Sequence, residues 1–226
     1  MSKTQYVEMR KACRIYAENN LSDMEKLNSF CTKWIFLITF PLVVYVIIYS
    51  KDIIGLIYGN LFINASIPLS ILALGLAMNG LTGLTGETLI SIKKTKLNFY
   101  SELIGSISNL ILNIILIPFL GIIGAAIGTS LSIFIKNISS FLFVYKRLKF
   151  NPYNLDYIKI IIYSSIPLIL IHLILNDYLK IKWAFLIVLP IFILIYLGIL
   201  FITKFFDEYD KFIIMNFLQK IKMIKN

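Results

Sequence analysis

The chain has 226 residues, 58% of them hydrophobic and only 15% charged, with a mean hydropathy of +0.83. Soluble domains are about 45–50% apolar and about 25% charged, so the composition excludes a soluble globular domain and indicates an integral membrane protein. The net charge of +10 accompanies no basic-and-aromatic stripe on a soluble module. That argues against nucleic acid as a partner and places the excess lysine in loops that meet anionic membrane lipids.

Residues 1–33 are polar and read as a cytoplasmic amphipathic arm without the apolar core or cleavage site of a signal peptide. Cys13 and Cys31 lie in this arm without the Cys/His spacing of a metal site and read as reduced thiols. A helix crossing about 30 Å of hydrocarbon needs about 20 apolar residues at about 1.5 Å each. Six segments meet or approach this: 34–50, 66–92, 98–118, 121–145, 158–176 and 183–203. The first is short and open to extension by the amphipathic run IIGLIYG at 53–59. The second is long, as a broken or tilted helix would be. Prolines at 41, 167 and 190 fall inside spans, where neighbouring helices can satisfy the freed backbone groups. A cytoplasmic connection at 146–157 separates a four-helix part, 34–145, from an apolar pair, 158–203. In the tail, 204–226, apolar residues at 213, 214, 217, 218 and 221 recur among lysines, the pattern of a helix lying on the membrane surface.

Basic residues set the orientation. The arm carries six, the 93–97 turn three, the 146–159 connection four and the tail five, which places eighteen on one side of six alternating helices. The other side has only Lys51, Lys180 and Lys182, and Lys136 lies within a span. By the positive-inside rule both termini are expected in the cytoplasm.

Three spans carry a polar seam. At about 100° per residue, Asn98, Glu102, Gly105, Ser106, Asn109 and Asn113 fall close to one line of the third span, with Leu103, Ile107, Ile111 and Leu112 elsewhere. Amides and carboxylates in a bilayer must find a partner or water, so this stripe faces protein or a wet cavity. In the fourth span Gly124, Gly128 and Ser132 recur every four residues, with Gly121 and Ala125 beside them, as in small-residue helix packing. Lys136 continues that series one turn on and needs pairing, water or a route to the interface. The second span offers Gly75, Asn79, Thr82 and Gly86. Asn79, Glu102, Asn109, Asn113 and Lys136 are therefore the candidates for lining a cavity. Two readings stay open for the asparagines, interhelical hydrogen bonding and a transport path. Glu87 and Glu102 lie near the basic end, where pairing with Lys93, Lys94 or Lys96 is available. The fifth and sixth spans are almost wholly apolar and look peripheral, with His172 read as neutral and interfacial. There is no HExxH, acidic metal motif or Ser/His dyad, so no enzyme, metal or cofactor is implied.

The runs IIGLIYGNLFINASIPLSILALG at 53–75, NLILNIILIPFLGIIGAAIGTSLS at 109–132 and LSDMEKLNSFCTKWIFLITFPLVV at 21–44 together resemble polysaccharide (lipid-linked oligosaccharide) flippases of the multidrug/oligosaccharidyl-lipid/polysaccharide exporter superfamily. The resemblance covers roughly residues 15–150. It implies an all-α cell-membrane protein whose six helices are like the last six of a fourteen-helix flippase. A lipid-linked glycan would be its substrate, and a complementary N-terminal half or homologous partner would supply the other lobe that alternating access requires. Two alternatives stay open at this point: a truncated multidrug or cation exporter, and a non-functional remnant or membrane scaffold.

Overall fold

The computed structural model describes residues 21–149, 156–178, 184–207 and 210. Their regular elements are all helical: α1 (Leu21–Ile48), α2 (Ser50–Ile57), a 3-10 turn (Asn60–Ala65), α3 (Ser66–Thr82), α4 (Thr85–Ser91), α5 (Thr95–Leu120), α6 (Ile122–Leu148), α7 (Asp156–Tyr178) and α8 (Ala184–Ile202). Among the described residues six helical stretches are long and apolar enough to cross a membrane. The chain divides into two units, 1–161 and 162–226.

Two expectations about the first span change. It is not extended by 53–59: the chain leaves α1 at Tyr49 and starts a separate helix, α2. Its length comes from the other side, because the chain is already helical at Leu21, so 21–33 continues into the span instead of forming a separate arm. Met24, Asn28, Cys31 and Thr32 are buried along that added part. Cys13 and the amphipathic part of the tail lie outside the described residues, as do Lys180 and Lys182.

The long second span is broken. α3 ends at Gly83, whose φ of +58° and ψ of −131° belong to backbone that only glycine adopts cheaply. A Cβ on Gly83 would also collide with the Thr32 side chain of α1, with Thr32 Cβ at 2.6 Å. The turn between α5 and α6 repeats these dihedrals at Gly121, φ +56° and ψ −131°, three residues after Pro118.

In the first unit, α1 packs on α3, α3 on α6 and α6 on α5, while α4 sits against α5 and α6. Small residues decide the spacing. Ala73 and Ala77 of α3 meet Val43 of α1, with Phe40, Val46 and Ile47 around them. On another face of α3, Gly75 lies under Ser130 of α6: a Cβ there would stand 2.9 Å from the Ser130 Cα. Ser130 Oγ donates to the Ile71 carbonyl across this crossing, 2.8 Å. At one end of the unit, Met24 (α1), Leu89 (α4), Ile92 and Val144 (α6) form a buried cluster joined by Leu97, Phe143 and Leu148. Lys93, Lys94, Lys96, Lys146, Arg147 and Lys149 therefore gather at that same end. Lys33, buried in α1, reaches Asp156 Oδ2 at the start of α7, 3.9 Å, and Phe36 packs at a tilt against Tyr157 with ring centroids 5.3 Å apart.

In the second unit, Leu168 of α7 and Phe185, Val188, Phe192, Tyr196 and Leu200 of α8 are buried, while Leu170, Leu173, Leu186, Leu194 and Phe201 are exposed. His172 is partly buried.

Candidate functional site

The polar face of α5 meets α6 because the two helices form an antiparallel hairpin with glycine at its closest approaches. A Cβ on Gly124 would overlap the Leu116 carbonyl group, and one on Gly128 would lie 2.5 Å from Asn113 Oδ1. These approaches bring side chains of the two helices into direct hydrogen bonding. Asn113 Nδ2 donates to Asn109 Oδ1, 2.9 Å. Asn109 Nδ2 donates to Ser132 Oγ at 3.0 Å and, more weakly, to Thr129 Oγ1 at 3.4 Å. The Ser132 hydroxyl donates onward to the Thr129 carbonyl, 2.7 Å. The proton of Ser132 is thereby committed, so its oxygen must accept, and this fixes which end of each amide is which. The relay runs in one direction, from Asn113 to the α6 backbone.

One turn toward the basic end, the Lys136 stem lies over Gly105, its Cβ 2.8 Å from where a glycine Cβ would be. The Lys136 ammonium reaches Glu102 Oε1, 3.6 Å. Glu102, Gly105, Ser106, Asn109, Ser132, Ile133 and Lys136 line a cleft of about 260 Å³ between the helices. The Glu102 side chain is 55% exposed and that of Lys136 30%. A carboxylate and an ammonium this accessible cannot face hydrocarbon without large cost, so the open side of the cleft meets water or other polar groups. The opposite surface of α5, including Ile107, Leu110, Ile111 and Ile114, is exposed and apolar.

A family model described as lipid II flippase MurJ matches residues 9–201. The chain belongs to this flippase family. A solved structure described as lipid II flippase MurJ in an inward closed conformation superposes with a TM-score of 0.70 at 29% identity, covering 85% of this chain and 41% of that one. A protein described as a probable low-salt glycan biosynthesis flippase, Agl15 of Haloferax volcanii, is 32% identical over 102 residues, 45% of this chain and 22% of its own length. An uncharacterized membrane protein of Methanocaldococcus jannaschii, MJ1068, is 31% identical over 138 residues, 60% of this chain and 27% of its own length. The chain thus spans well under half the length of the flippases it matches. Its six apolar helices and its MurJ-family fold make it a multi-pass protein of the cell membrane. The likeness noted at 53–75 and 109–132 holds at the level of a flippase family.

Within this MurJ-type hairpin the cavity candidates separate. Glu102, Asn109 and Lys136 line the cleft, and Asn113 stands behind Asn109 as the first donor of the relay. Asn79 lies elsewhere: its Oδ1 accepts from Asn137 Nδ2, 2.9 Å, in the contact of α3 with α6. Asn98 sits against Gly86 of α4. Glu102 pairs with Lys136 of α6, not with the lysines of the 93–97 turn to which its depth pointed. Of the packing candidates, Gly124, Gly128 and Ser132 are buried and Ala125 is partly so. Gly121 has nothing within 4 Å of a Cβ position; its place is the turn, where its dihedrals matter.

Sequence reasoning missed the second face of α6. Ala126, Ser130 and Asn137 turn toward α3, nearly opposite Gly128 and Ser132, and the spacing of Ser130 and Asn137 by seven was the available signal. It also missed Asn28, whose buried amide lies 3.3 Å from Thr88 Oγ1 of α4, a hydroxyl that also reaches the Leu84 carbonyl at 2.8 Å.

Proposed function

We propose that this chain forms the C-terminal, six-helix portion of a flippase for polyprenyl-linked glycan precursors, working with a complementary N-terminal lobe. The observation that carries the proposal is the α5–α6 cleft, a polar surface held within an apolar membrane hairpin by the Asn113–Asn109–Ser132 relay and the Lys136–Glu102 pair. A lipid-linked glycan presents phosphate and hydroxyl groups that must cross the hydrocarbon layer. Each needs replacement hydrogen bonds on the way, since an unsatisfied polar group in lipid costs several kcal/mol. The hydroxyl of Ser106 and the remaining lone pair of Asn109 Oδ1 suit sugar hydroxyls, and the Lys136 ammonium suits a phosphate. Glu102 keeps that ammonium neutralised until an anion arrives, and the half-exposed pair is weak enough to exchange. Helix backbones packed on Gly124 and Gly128 hold this lining on a rigid hairpin, so it can move as one body against another lobe. The length of the relatives supports the need for that lobe. No enzymatic step enters the account.

The test is to produce the chain together with a polypeptide supplying the first eight helices and to measure movement of a lipid-linked glycan across vesicles. Charge-assisted hydrogen bonds are worth about 1.5–3 kcal/mol, so Lys136→Ala should lower the rate about ten- to a hundredfold. Asn113→Ala should lower it less, because Asn113 acts through Asn109. Unchanged rates in both variants would remove the cleft from the transport path. Movement of cationic drugs in place of glycans would assign the chain to the multidrug branch.

A further inference from the structure

The segment between the first two spans has a surface that the transport cleft does not use. α2 buries Ser50 and Ile54 against the rest of the fold and exposes Leu56 and Ile57. Lys51 and Asp52 are also exposed, and at about 100° per residue they fall on the arc away from Ile53 and Ile57. Tyr58 and Phe62 then pack edge-to-face, ring centroids 6.4 Å apart, across Gly59. Leu61 in the 3-10 turn is 95% exposed. The segment thus has three sides: Ile54 toward protein, an open apolar side and an open charged side.

We propose that residues 50–65 form an interfacial lipid-binding element, lying at the membrane surface with Ile57, Leu61 and Phe62 inserted among lipid acyl chains and Lys51 and Asp52 in the headgroup water. Three observations select lipid as the occupant. The segment starts two residues after α1 and ends where α3 begins, so both its ends are tied to one membrane boundary. Its apolar side continues the exposed apolar surface of the spans it joins, which includes Leu42 of α1 and Ile67 and Leu74 of α3. Its apolar-plus-charged division is that of helices lying in the interface plane, with the apolar face about 5–10 Å below the headgroups. An eight-residue helix is also too short to persist in water unaided, and a lipid surface gives it a second support beside Ile54. At that boundary the aromatic pair Tyr58–Phe62 would lie where aromatic rings concentrate. The element anchors the α1–α3 connection in the leaflet at which α1 ends and leaves the polar cleft of α5 and α6 to other ligands.

The test uses the whole 226-residue chain with Cys13→Ser and Cys31→Ala, reconstituted in vesicles of phosphatidylcholine and phosphatidylglycerol. Nitroxide labels are placed one at a time at Ile57→Cys, Leu61→Cys and Lys51→Cys, and collision with oxygen is compared with collision with a water-soluble nickel chelate. The element predicts a several-fold higher oxygen-to-nickel ratio at 57 and 61 than at 51. In parallel, Phe62→Trp fluorescence should be quenched by brominated acyl chains beyond the loss seen for the parent chain. Nickel access at 57 and 61 equal to that at 51 would make the segment a water-facing loop and overturn the proposal. Protection of 57 and 61 from both reagents would overturn it too, by showing that protein covers the surface.

Discussion

A carboxamide offers a donor at one end and an acceptor at the other, so its contribution depends on which end its neighbours require. Ser132 gives its proton to the Thr129 carbonyl and can only accept from Asn109, and Asn109 can then only accept from Asn113. Asn109 is the link whose removal strands a group on each side. Interhelical hydrogen bonds in membranes average about 0.6 kcal/mol. Asn109→Ala, which breaks more than one, should destabilise the chain by about 1–2 kcal/mol, read as a lower thermal midpoint in mild detergent. Gly128→Ala inserts a methyl 2.5 Å from Asn113 Oδ1 and should cost about 1–3 kcal/mol through overpacking. Gly198→Ala is the control, since nothing lies within 4 Å of its Cβ position, and it should leave the midpoint unchanged or raise it slightly. At this scale the sequence was informative about α5, because amides in an apolar run stand out and their four-residue spacing puts them on one line. It was less informative about Gly121. The GxxGAAxG spacing suggests packing, but what matters is a backbone angle, and the nearer cue was the preceding Pro118.

Among the elements, the interrupted helix α3–α4 has the most direct consequence. Gly83 combines a positive φ with a Cβ position already occupied by Thr32, and Thr32 is itself held by a hydrogen bond to the Asn28 carbonyl, 2.8 Å. The Asn28 side chain in turn meets the Thr88 hydroxyl of α4 at 3.3 Å. The break is therefore locked to α1 on both sides of the turn. Gly83→Ala should cost about 2–4 kcal/mol from strained backbone and overpacking together. Adding Thr32→Ala removes Oγ1 and Cγ2 but leaves the Cβ at 2.6 Å, so it should restore only part of the steric share, and a double-mutant cycle read by thermal unfolding should be non-additive. The existence of a break was legible from the length and the Gly/Thr content of 66–92. Its anchor was not, because Asn28 and Thr32 stand among charged residues and read as part of a polar arm. Only the burial of Met24, Cys31 and Phe36 around them reveals a helix that continues into the membrane.

For the whole molecule, six spans among the described residues and a MurJ-family fold describe part of a flippase. The basic residues of the 93–97 turn and of 146–149 gather at one end of the first unit, the arrangement a cytoplasmic face requires. A reporter inserted after Lys149 should accordingly read as cytoplasmic and one inserted after Gly59 as external, and the reverse pattern would invert the topology. The number of spans was legible because length and hydropathy alone decide it. The pairing of Glu102 with Lys136, 34 residues apart in sequence, was not, since it depends on how two glycine-spaced helices cross. That pair and the relay beside it define the cleft on which the transport account rests. The most direct measurement places a photo-reactive side chain at Ser106, in the cleft, or at Leu110, on the exposed apolar surface of α5, in the chain co-produced with the complementary lobe proposed above. Irradiation during transport should attach labelled lipid-linked glycan at position 106 and not at 110; labelling at 110 with none at 106 would contradict the account.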